Sequence, residues 1–566
     1  MIPLALAGAG LRQLAGAAAA VAVSAARSGG GLSAAWVPGT GARAASSSAE
    51  AEPLRPHPTP RSHLAGQPTP ETHPELLRPN ELTPGIAAAE YAERRTRLAR
   101  AMPQGGVAVL PAASTAFVTG VIPHPYRQDA DYSYLTGAAQ HGVAVVAAAP
   151  GGGGEHRFAL FIPDADPERE RWDGAWLGPQ AALDVFGADK VYSIRELPRR
   201  LPQIAAGASA LLFDFDRPSA FHFPSVRAAV EGLCAAPGGP RAAPLRPVMQ
   251  RLRWRKSGAE LQLMRASALI AGAAIRRCMG ISRAGVMESE LAATFEYECR
   301  LAGASRNAYP PVVAGGADAC TIHYSRNDKR VAGGEMVLMD AGCEYAGYAS
   351  DVTRTWPVSG SFSGPQRDVY EAVLEARRTV LDAVRPGTTL SRLHTLSVSL
   401  ISDALRQLRV LPGLSAEAIQ AQHYREFYCH SIGHYLGLDV HDTASVGAHA
   451  PLEAGVVMAI EPGIYIPDHP RFGPFAGIGV RVEDDVLVTP TGACVLSEHV
   501  PVAVSEVEAL VGEALEGAAA GGGAPRGGGA GRGAPRPEAG AAKEAAGAAA
   551  AAAAARGGGA RAAAAR

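Results

Sequence analysis

The sequence has little cysteine, and none of it is arranged for cross-linking or for binding zinc through thiolates. Seven cysteines are spread over 566 residues, their number is odd, and no two form a CxxC pair. A small disulfide-stabilised scaffold and a zinc site built from cysteines are therefore excluded. No run of 18 or more strongly apolar residues occurs either, so we expect no transmembrane span.

Motifs for phosphate binding and for a nucleophilic serine are also missing. Lys256 and Ser257 lack the glycines of a phosphate-binding loop, no GxSxG occurs, and no GxGxxG follows a plausible strand. Residues 1–49 carry a charge of +3 and residues 517–566 carry +5, which leaves −9 on the region between them. This acidic region argues against nucleic acid as a partner, because neutralising phosphates requires a basic face.

The two ends of the chain differ in composition from the middle. Residues 1–49 are rich in Ala, Ser and Gly and contain arginine but no acid, which predicts a transit peptide. We expect a mitochondrial location, with plastid or cytoplasm as alternatives; a secretory signal peptide over 14–26 is the competing interpretation. Residues 50–84 form a proline-rich lead-in that we expect to be extended. Residues 517–566 use only Gly, Ala, Pro, Arg, Lys and Glu, which predicts a disordered tail.

The region between the ends has the alternation of an α/β protein. Short apolar runs at 106–110, 143–149, 158–162 and 210–213 predict strands, and the spacing over 90–101 predicts a helix.

A long amphipathic segment, 257–279, begins a second domain. Ser257 is placed as an N-cap and Glu260 follows three residues later, which is the pattern of a capping box. We therefore expect a fold of class α/β (α+β), with a first α/β domain over 85–250 and a second domain over 255–510.

Histidine is concentrated in the second domain. Five of the sixteen histidines fall within the 27 residues from 423 to 449. A single histidine is most often a surface or a satisfied core residue, and we interpret His423 and His449 in that way. For His430, His434 and His441, within HSIGHYLGLDVHD, the clustering favours a role in binding metal or substrate.

Two aspartates flank a predicted β-hairpin in MVLMDAGCEYAGYASDVTRTW. If the hairpin turns near Tyr345 and Ala346, Asp340 and Asp351 are cross-strand partners with their side chains on one face. Two carboxylates so placed repel each other. Either they lie at a solvated end of the sheet, or a cation lies between them, and the apolar run that ends at Asp340 favours the cation.

Two further carboxylates lie at or near the ends of apolar strands. Glu461 follows VVMAI and precedes Pro462, while alternation in GVRVEDDVLV places Arg481 and Glu483 on one face. Together, five side chains supply four negative charges and one neutral imidazole, a charge that two divalent metal ions would neutralise: Asp340, Asp351, His434, Glu461 and Glu483. An oxygen-rich set without thiolate suits Mn²⁺, with Co²⁺, Zn²⁺ or Fe²⁺ as alternatives.

These five side chains lie in the motifs MDAG, SDVTRT, HSIGHYLGLDVHD, IEPGIY and VRVEDDV. The order Asp, Asp, His, Glu, Glu and the eleven-residue gap between the aspartates resemble the pita-bread metallopeptidases, the fold of methionine aminopeptidase, aminopeptidase P, prolidase and creatinase. Upstream, YRQDADYSYLTG, RERWDGAWLG and AYPPVVAGGADACTIHY resemble aminopeptidase P. The resemblance covers about residues 66–510 and is strongest to mitochondrial members of the aminopeptidase P family. It implies a creatinase-like N-terminal α/β domain followed by a pita-bread metallopeptidase domain.

The resemblance also implies how the candidate residues divide their roles. Asp340 would hold one metal ion, His434 and Glu461 the other, and Asp351 and Glu483 would bridge both. Glu461 would also act as general base. Three histidines would contact the substrate, with His441 stabilising the tetrahedral intermediate and the other two lining the site: His323, His430 and His441. Arg481 would orient Glu483 as a supporting residue.

The function implied is that of a dinuclear metal-dependent aminopeptidase that hydrolyses the N-terminal Xaa-Pro bond of peptides. Its partners would be peptide or protein N-termini with proline at the second position, including those of imported organellar proteins, and dimers occur among the relatives. Two alternatives stay open: a prolidase restricted to Xaa-Pro dipeptides, and a catalytically silent pita-bread module that binds peptides or proteins.

Overall fold

The computed structural model describes residues 65–216 and 224–520, with side chains up to residue 512. The transit peptide expected over 1–49 and the beginning of the lead-in lie outside the described residues. The tail expected from residue 517 begins within the last helix, which continues to Ala520, and the remainder of that tail also lies outside the described residues.

The first part of the described chain is built around a six-stranded mixed sheet with the strand order β10-β9-β3-β6-β7-β8. Its strands, together with two small hairpins, are β1 Glu81–Thr83, β2 Ile86–Ala87, β3 Val107–Pro111, β4 Phe117–Thr119, β5 Ile122–Pro123, β6 Val143–Ala148, β7 His156–Ile162, β8 Lys190–Ser193, β9 Ala210–Leu212 and β10 Arg241–Ala243. The four apolar runs predicted as strands become β3, β6, β7 and β9, so these predictions are confirmed.

Helices cover the faces of this sheet. In chain order they are α1 Ala88–Ala101, α2 Ala130–Thr136, α3 Pro167–Asp173, α4 Pro179–Asp184, α5 Leu197–Ile204, α6 Pro224–Ala235 and α7 Arg246–Trp254. The predicted helix over 90–101 is therefore confirmed, with two more residues at its start. The central strands β3 and β6 are buried along almost their whole length, which explains their continuous apolar runs.

The described part of the proline-rich lead-in is mostly turns up to residue 80 and ends in the short strand β1, so the expected extended conformation is wrong over 65–80. The backbone amides of Thr72 and His73 both donate to the Thr69 carbonyl, at 3.1 and 2.8 Å. The Thr72 hydroxyl also accepts from the Thr69 amide at 3.0 Å. Threonine hydroxyls that bond to nearby backbone favour turns over extended chain.

The second part begins with a long helix whose start was predicted. Helix α8, Gly258–Ile281, has Ser257 as its N-cap: the Ser257 hydroxyl accepts from the Glu260 amide, and the Glu260 carboxylate accepts from the Ser257 amide. The capping box is therefore confirmed. The remaining helices are α9 Glu288–Leu301, α10 Gly364–Ala383, α11 Leu390–Gln407 and α12 Val504–Ala520, with a single turn at Ala416–Ala418.

The strands of the second part form four small antiparallel sheets, ordered β11-β14-β15, β12-β13-β16, β17-β20-β21 and β18-β19. Their bounds are β11 Arg306–Asn307, β12 Val312–Gly315, β13 Met336–Ala341, β14 Cys343–Tyr345, β15 Tyr348–Ala349, β16 Val352–Pro357, β17 Val457–Ile460, β18 Gly463–Tyr465, β19 Gly479–Arg481, β20 Asp484–Val488 and β21 Ala493–Val495. Three of these sheets contribute residues to one hydrophobic core, whereas the sheet β17-β20-β21 contributes to two others.

The two parts are joined by a continuous apolar interface. One hydrophobic cluster contains Leu98 and Met249 from the first part and Leu263, Leu436 and Val457 from the second. The site-bearing segment around Leu436 is therefore packed directly against the first part of the chain. Within the two described ranges, no helix combines the length and the apolar character that crossing a membrane requires.

Candidate metal centre

Asp340 and Asp351 lie on adjacent strands, but they are not direct cross-strand partners as the sequence suggested. Strand β13 pairs with β16 so that Asp340 faces Thr353. The hairpin turns at Ala346 and Gly347, both with positive φ (50° and 86°), one residue later than expected. The pairing register therefore shifts by two residues. Because a two-residue shift preserves the face, Asp351 still lies on the same side as Asp340, diagonally across the strands.

The two glutamates lie in the connections between two further antiparallel strand pairs, β17 with β20 and β18 with β19. Glu461 directly follows β17, and its backbone amide donates to the Ile432 carbonyl at 2.8 Å. Glu483 lies between β19 and β20, and its carboxylate accepts from the Thr353 hydroxyl at 2.6 Å. Since Thr353 faces Asp340 in the hairpin, this hydrogen bond joins the glutamate strands to the aspartate strands.

His434 completes the cluster. Its Nε2 lies 3.3 Å from an Asp351 oxygen and 3.9 Å from a Glu461 oxygen, while its Nδ1 donates to the Tyr435 carbonyl at 3.2 Å. One ligand atom each from Asp351, His434 and Glu483 lies within 4.8 Å of the others. The backbone contact of Nδ1 leaves Nε2 directed at the carboxylates, which is the arrangement of a metal-binding histidine.

Arg481 is the main cation beside these carboxylates. Its Nη2 donates to Asp340 at 2.6 Å and its Nε donates to the Thr353 hydroxyl at 3.0 Å, whereas its closest approach to Glu483 is 4.0 Å. The guanidinium is therefore nearer to Asp340 than to Glu483, the carboxylate that it was expected to orient. A further donation from Nη1 to the Tyr465 hydroxyl at 2.9 Å fixes its plane.

Tyr309 is a member of the site to which the sequence reasoning assigned no role. Its hydroxyl oxygen lies 2.5 Å from an oxygen of Asp340 and 2.5 Å from an oxygen of Asp351. The hydroxyl has one proton, so it donates to one carboxylate at a time. Burial and the adjacent carboxylates raise the pKa of Tyr309 well above its usual range. Its position within AYPPVV, directly before Pro310, was the only signal in the sequence.

The electrostatics of this cluster fit bound divalent cations. Burial, reinforced by neighbouring carboxylates, raises the pKa of Glu483 well above its usual range. Burial also raises the pKa of Glu461 to about 7, although the charges of His434 and Arg481 oppose the shift. Burial also raises the pKa of Asp340, despite the opposing effect of Arg481. Burial alone would lower the pKa of His434, but the Asp351 and Glu461 carboxylates raise it to about 9. Four acids beside one histidine and one arginine are short of positive charge, and divalent metal ions would supply it.

The other three candidate histidines lie around this cluster. His430 is largely buried, its Nδ1 donates to the Ser431 carbonyl, and its Nε2 accepts from the Tyr465 hydroxyl, both at 2.7 Å. The His441 ring is exposed, with its centroid 4.3 Å from that of His434. Burial lowers the pKa of His430 to about 3 and lowers that of His441. His323 is exposed, and its imidazole is near enough to contribute to lowering the pKa of His430 and of His441.

Two family models match the chain. Residues 262–490 match metallopeptidase family M24, and residues 91–213 match the N-terminal domain of aminopeptidase P. Two similar curated proteins are "Intermediate cleaving peptidase 55, mitochondrial" of Arabidopsis thaliana, 41% identical over 79% of this chain and 87% of the relative, and "Xaa-Pro aminopeptidase 3" of Homo sapiens, 39% identical over 79% of this chain and 91% of the relative. The solved aminopeptidase PepP of Pseudomonas aeruginosa is similar with a TM-score of 0.71 and 36% identity, covering 76% of this chain and 99% of that one.

The fold, the carboxylate-rich cluster and these similarities define a metallo-aminopeptidase. The chain belongs to metallopeptidase family M24, and within it to the aminopeptidase P group. The fold class, the two-domain architecture type and the enzyme class predicted from the sequence are thereby confirmed. The domain limits 85–250 and 255–510, and the role of each site residue, stay predictions.

Proposed function

We propose that this metallo-aminopeptidase removes the N-terminal residue from peptides that carry proline at the second position. The observation that carries the proposal is the convergence of four acidic side chains and one imidazole in a buried site with too few cations. The names of two relatives support the substrate class: the human "Xaa-Pro aminopeptidase 3" and the solved "Proline aminopeptidase P II from Yersinia pestis".

Such a site suits the Xaa-Pro bond for a physical reason. Proline has no backbone N–H and a fixed φ, so a peptidase that grips an extended backbone through that donor fails at this bond. A site that recognises the free amino group and the carbonyl of the first residue does not depend on the missing donor.

The proposed cofactor is a pair of divalent metal ions, with Mn²⁺ preferred and Co²⁺, Zn²⁺ or Fe²⁺ as alternatives. Asp340 would hold one ion, His434 and Glu461 the other, and Asp351 and Glu483 would bridge both. The close grouping of Asp351, His434 and Glu483 supports this assignment of ligands to the two ions, since it brings both proposed bridging residues beside the histidine. When bound, such ions polarise a carbonyl and lower the pKa of water.

The positions of the remaining groups support the roles that we propose for them. Glu461 has one carboxylate oxygen 3.9 Å from His434 and the other 3.5 Å from His430, so it lies between the metal ligands and the substrate side. From there it would act as general base and carry a proton from water to the departing amine. His441, exposed beside His434, would stabilise the oxyanion that develops on the scissile carbonyl, and His323 and His430 would line the substrate site.

We also propose a mitochondrial location and a role in trimming the N-termini of imported proteins. The mitochondrial label in the Arabidopsis relative's name supports the location, and its description as an intermediate cleaving peptidase supports the role. A homodimer stays a prediction.

Product analysis by mass spectrometry tests the proposal. The metal-stripped full chain, reloaded with Mn²⁺, is mixed with an Xaa-Pro dipeptide, a longer Xaa-Pro peptide and a longer peptide of similar length without proline. Release of one N-terminal residue from the longer proline peptide is the expected result, and the third peptide measures how strictly proline is required. The same protein without added metal serves as the control.

Two other results would overturn the proposal. Cleavage of the dipeptide alone would make the protein a prolidase. Absence of all cleavage with two metal ions demonstrably bound would indicate a silent module that binds peptides or proteins.

A further inference from the structure

The loop between His434 and His441 determines where the second of these rings lies. The Asp442 amide donates to the Tyr435 carbonyl at 2.9 Å, which closes the loop over 435–442. Within the described residues, the His441 ring contacts the His434 ring and has no hydrogen-bond partner. The position of the His441 ring therefore depends on the backbone of the loop and not on hydrogen bonds of its own.

The chain leaves this loop through an unfavourable backbone conformation. Thr443 has a φ of 48°, a left-handed value that β-branched residues rarely adopt. Its hydroxyl is buried and has no hydrogen-bond partner within the described ranges. A residue keeps such a conformation only where the surrounding structure imposes it. A constraint of this kind would come from the contacts of the preceding residue, Asp442.

Asp442, between His441 and Thr443, is held by two buried cations. Its carboxylate accepts from Arg253 through one oxygen and from the Lys256 ammonium, at 3.2 Å, through the other. Arg253 lies in the last turn of α7, and Lys256 lies in the short connection from α7 to α8. Because a buried charge is costly without a partner, displacing Asp442 would leave two cations incompletely paired.

The first part of the chain holds the other side of the same loop. Arg127 donates to the Leu438 carbonyl at 2.6 Å and to the Asp439 carboxylate at 3.1 Å. Arg253 also links the two parts, since it donates to Asp131 at 2.6 Å and to Asp439 at 2.8 Å. The loop that carries His441 is thus attached to the N-terminal sheet domain by specific charged contacts.

We propose that Arg127 is a positioning residue for the peptidase reaction: from the N-terminal domain it holds the loop over 435–442 so that the His441 ring faces the metal-binding cluster. This inference rests on the proposed function, because His441 has its catalytic role only there. It gives the N-terminal domain a direct part in the chemistry of a site whose candidate ligands all belong to the second domain.

The kinetic test compares two arginine variants. Arg127→Gln removes the loop contact and also the ion pair with Glu344 at 2.5 Å. Arg251→Gln is the control for the loss of an ion pair across the two parts, because Arg251 pairs with Glu453 at 2.9 Å and has no hydrogen bond to the loop within the described residues. Misplacement of a reacting group by about 1 Å costs up to roughly 100-fold in rate, so we expect kcat to fall by about 10- to 100-fold in Arg127→Gln. KM and the two bound Mn²⁺ ions should stay as in the unsubstituted protein. Equal kcat values for the two variants would overturn the inference.

A double-mutant cycle separates positioning from general stabilisation. In a His441→Gln background, measured under single-turnover conditions, Arg127→Gln should cause little further loss if it acts through His441. The same fractional loss in both backgrounds would contradict the inference. Asp439→Asn provides a second variant with nearly unchanged shape, and its kcat should fall in the same direction as that of Arg127→Gln.

A chemical readout tests the inference without requiring turnover. Carbethoxylation of the metal-free protein by diethyl pyrocarbonate, followed by mass spectrometry, reports the rate at His441 relative to His423. That ratio should change in Arg127→Gln and not in Arg251→Gln, and an unchanged ratio would overturn the inference. An unsubstituted protein that cleaves no peptide would refute the proposed function instead, so the two failures are distinguishable.

Discussion

Two charge clusters lie close to the loop that carries His441, and they differ in their balance of charge. The cluster at the metal centre places four carboxylates beside one arginine and one histidine, and the pKa of Asp340, Glu461 and Glu483 is raised by burial. The cluster at the domain interface matches its charges, with each acid in contact with a base: Arg127, Arg253, Lys256 and Arg306 with Asp131, Glu344, Asp439 and Asp442. The unbalanced cluster is suited to binding cations, and the balanced one to holding two domains together.

Two adjacent residues show the same difference on a smaller scale. Glu483 faces other carboxylates, and burial raises its pKa. The Asp484 carboxylate, one residue later, accepts from Arg354 at 2.8 Å and from Arg377 at 2.5 Å. Burial alone would raise the pKa of Asp484, but the two guanidinium groups lower it instead. At these two positions the partners, and not the depth of burial, decide the direction in which the pKa of the carboxyl moves.

Metal removal should have the largest effect on the unbalanced cluster. Exhaustive chelation is expected to abolish peptidase activity, and Mn²⁺ should restore it. A ligand at 100 times its dissociation constant stabilises the folded state by about 2.7 kcal/mol, so the melting temperature should also rise when the metal returns. Full activity after removal of all metal, checked by elemental analysis, would contradict the dinuclear site.

Glu461→Gln should have the next largest effect. The amide keeps the size of the side chain but cannot accept the proton, so kcat should fall by about 100- to 10,000-fold. Circular dichroism and thermal melting serve as the control that the fold is intact. Activity close to normal in this variant would remove the assignment of Glu461 as the base.

The balanced cluster should respond through stability. Arg253→Leu leaves buried carboxylates without their partner, which we expect to lower the free energy of unfolding by about 3–5 kcal/mol, measured by urea denaturation. The matched control is Arg251→Gln, whose ion pair with Glu453 is more than a third exposed and should be worth less than about 1 kcal/mol. Similar losses of unfolding free energy in the two variants would show that the buried ion pairs stabilise the protein no more than an exposed pair does.

The smallest expected effect is at the start of α8, next to the balanced cluster. Ser257→Ala removes the N-cap hydroxyl, which also donates to Glu90 at 2.7 Å. We expect a loss of about 1 kcal/mol, seen as a lower melting temperature with activity unchanged. A melting temperature equal to that of the unsubstituted protein would mean that the capping box does not stabilise the helix measurably.

The features that the sequence predicted correctly depend on residues that are close together in the chain. Strands β3, β6, β7 and β9, helix α1 and the capping box at Ser257 follow from local periodicity and local hydrogen bonding. The candidate ligands could also be chosen, because together they form an oxygen-rich set with a charge that two divalent metal ions would neutralise, and because the motifs resemble a known family.

The failures have equally specific causes. The predicted pairing of Asp340 with Asp351 was wrong because the turn uses Ala346 and Gly347 with positive φ, and alanine gives no signal for that conformation. The lead-in was expected to be extended because it is rich in proline, whereas the hydroxyl of Thr72 favours a turn.

The sequence by itself determined the protein class, the types of ligand and the elements that carry them, because these depend on residue identity and short-range pattern. The tertiary structure alone decided that Tyr309 contacts two of the acids, that Arg481 lies closest to Asp340, and that Arg127 reaches the loop of His441. The last of these contacts joins residues 311 positions apart in the chain. Contacts of this kind depend on how strands and domains pack together, and no local pattern in the chain encodes them.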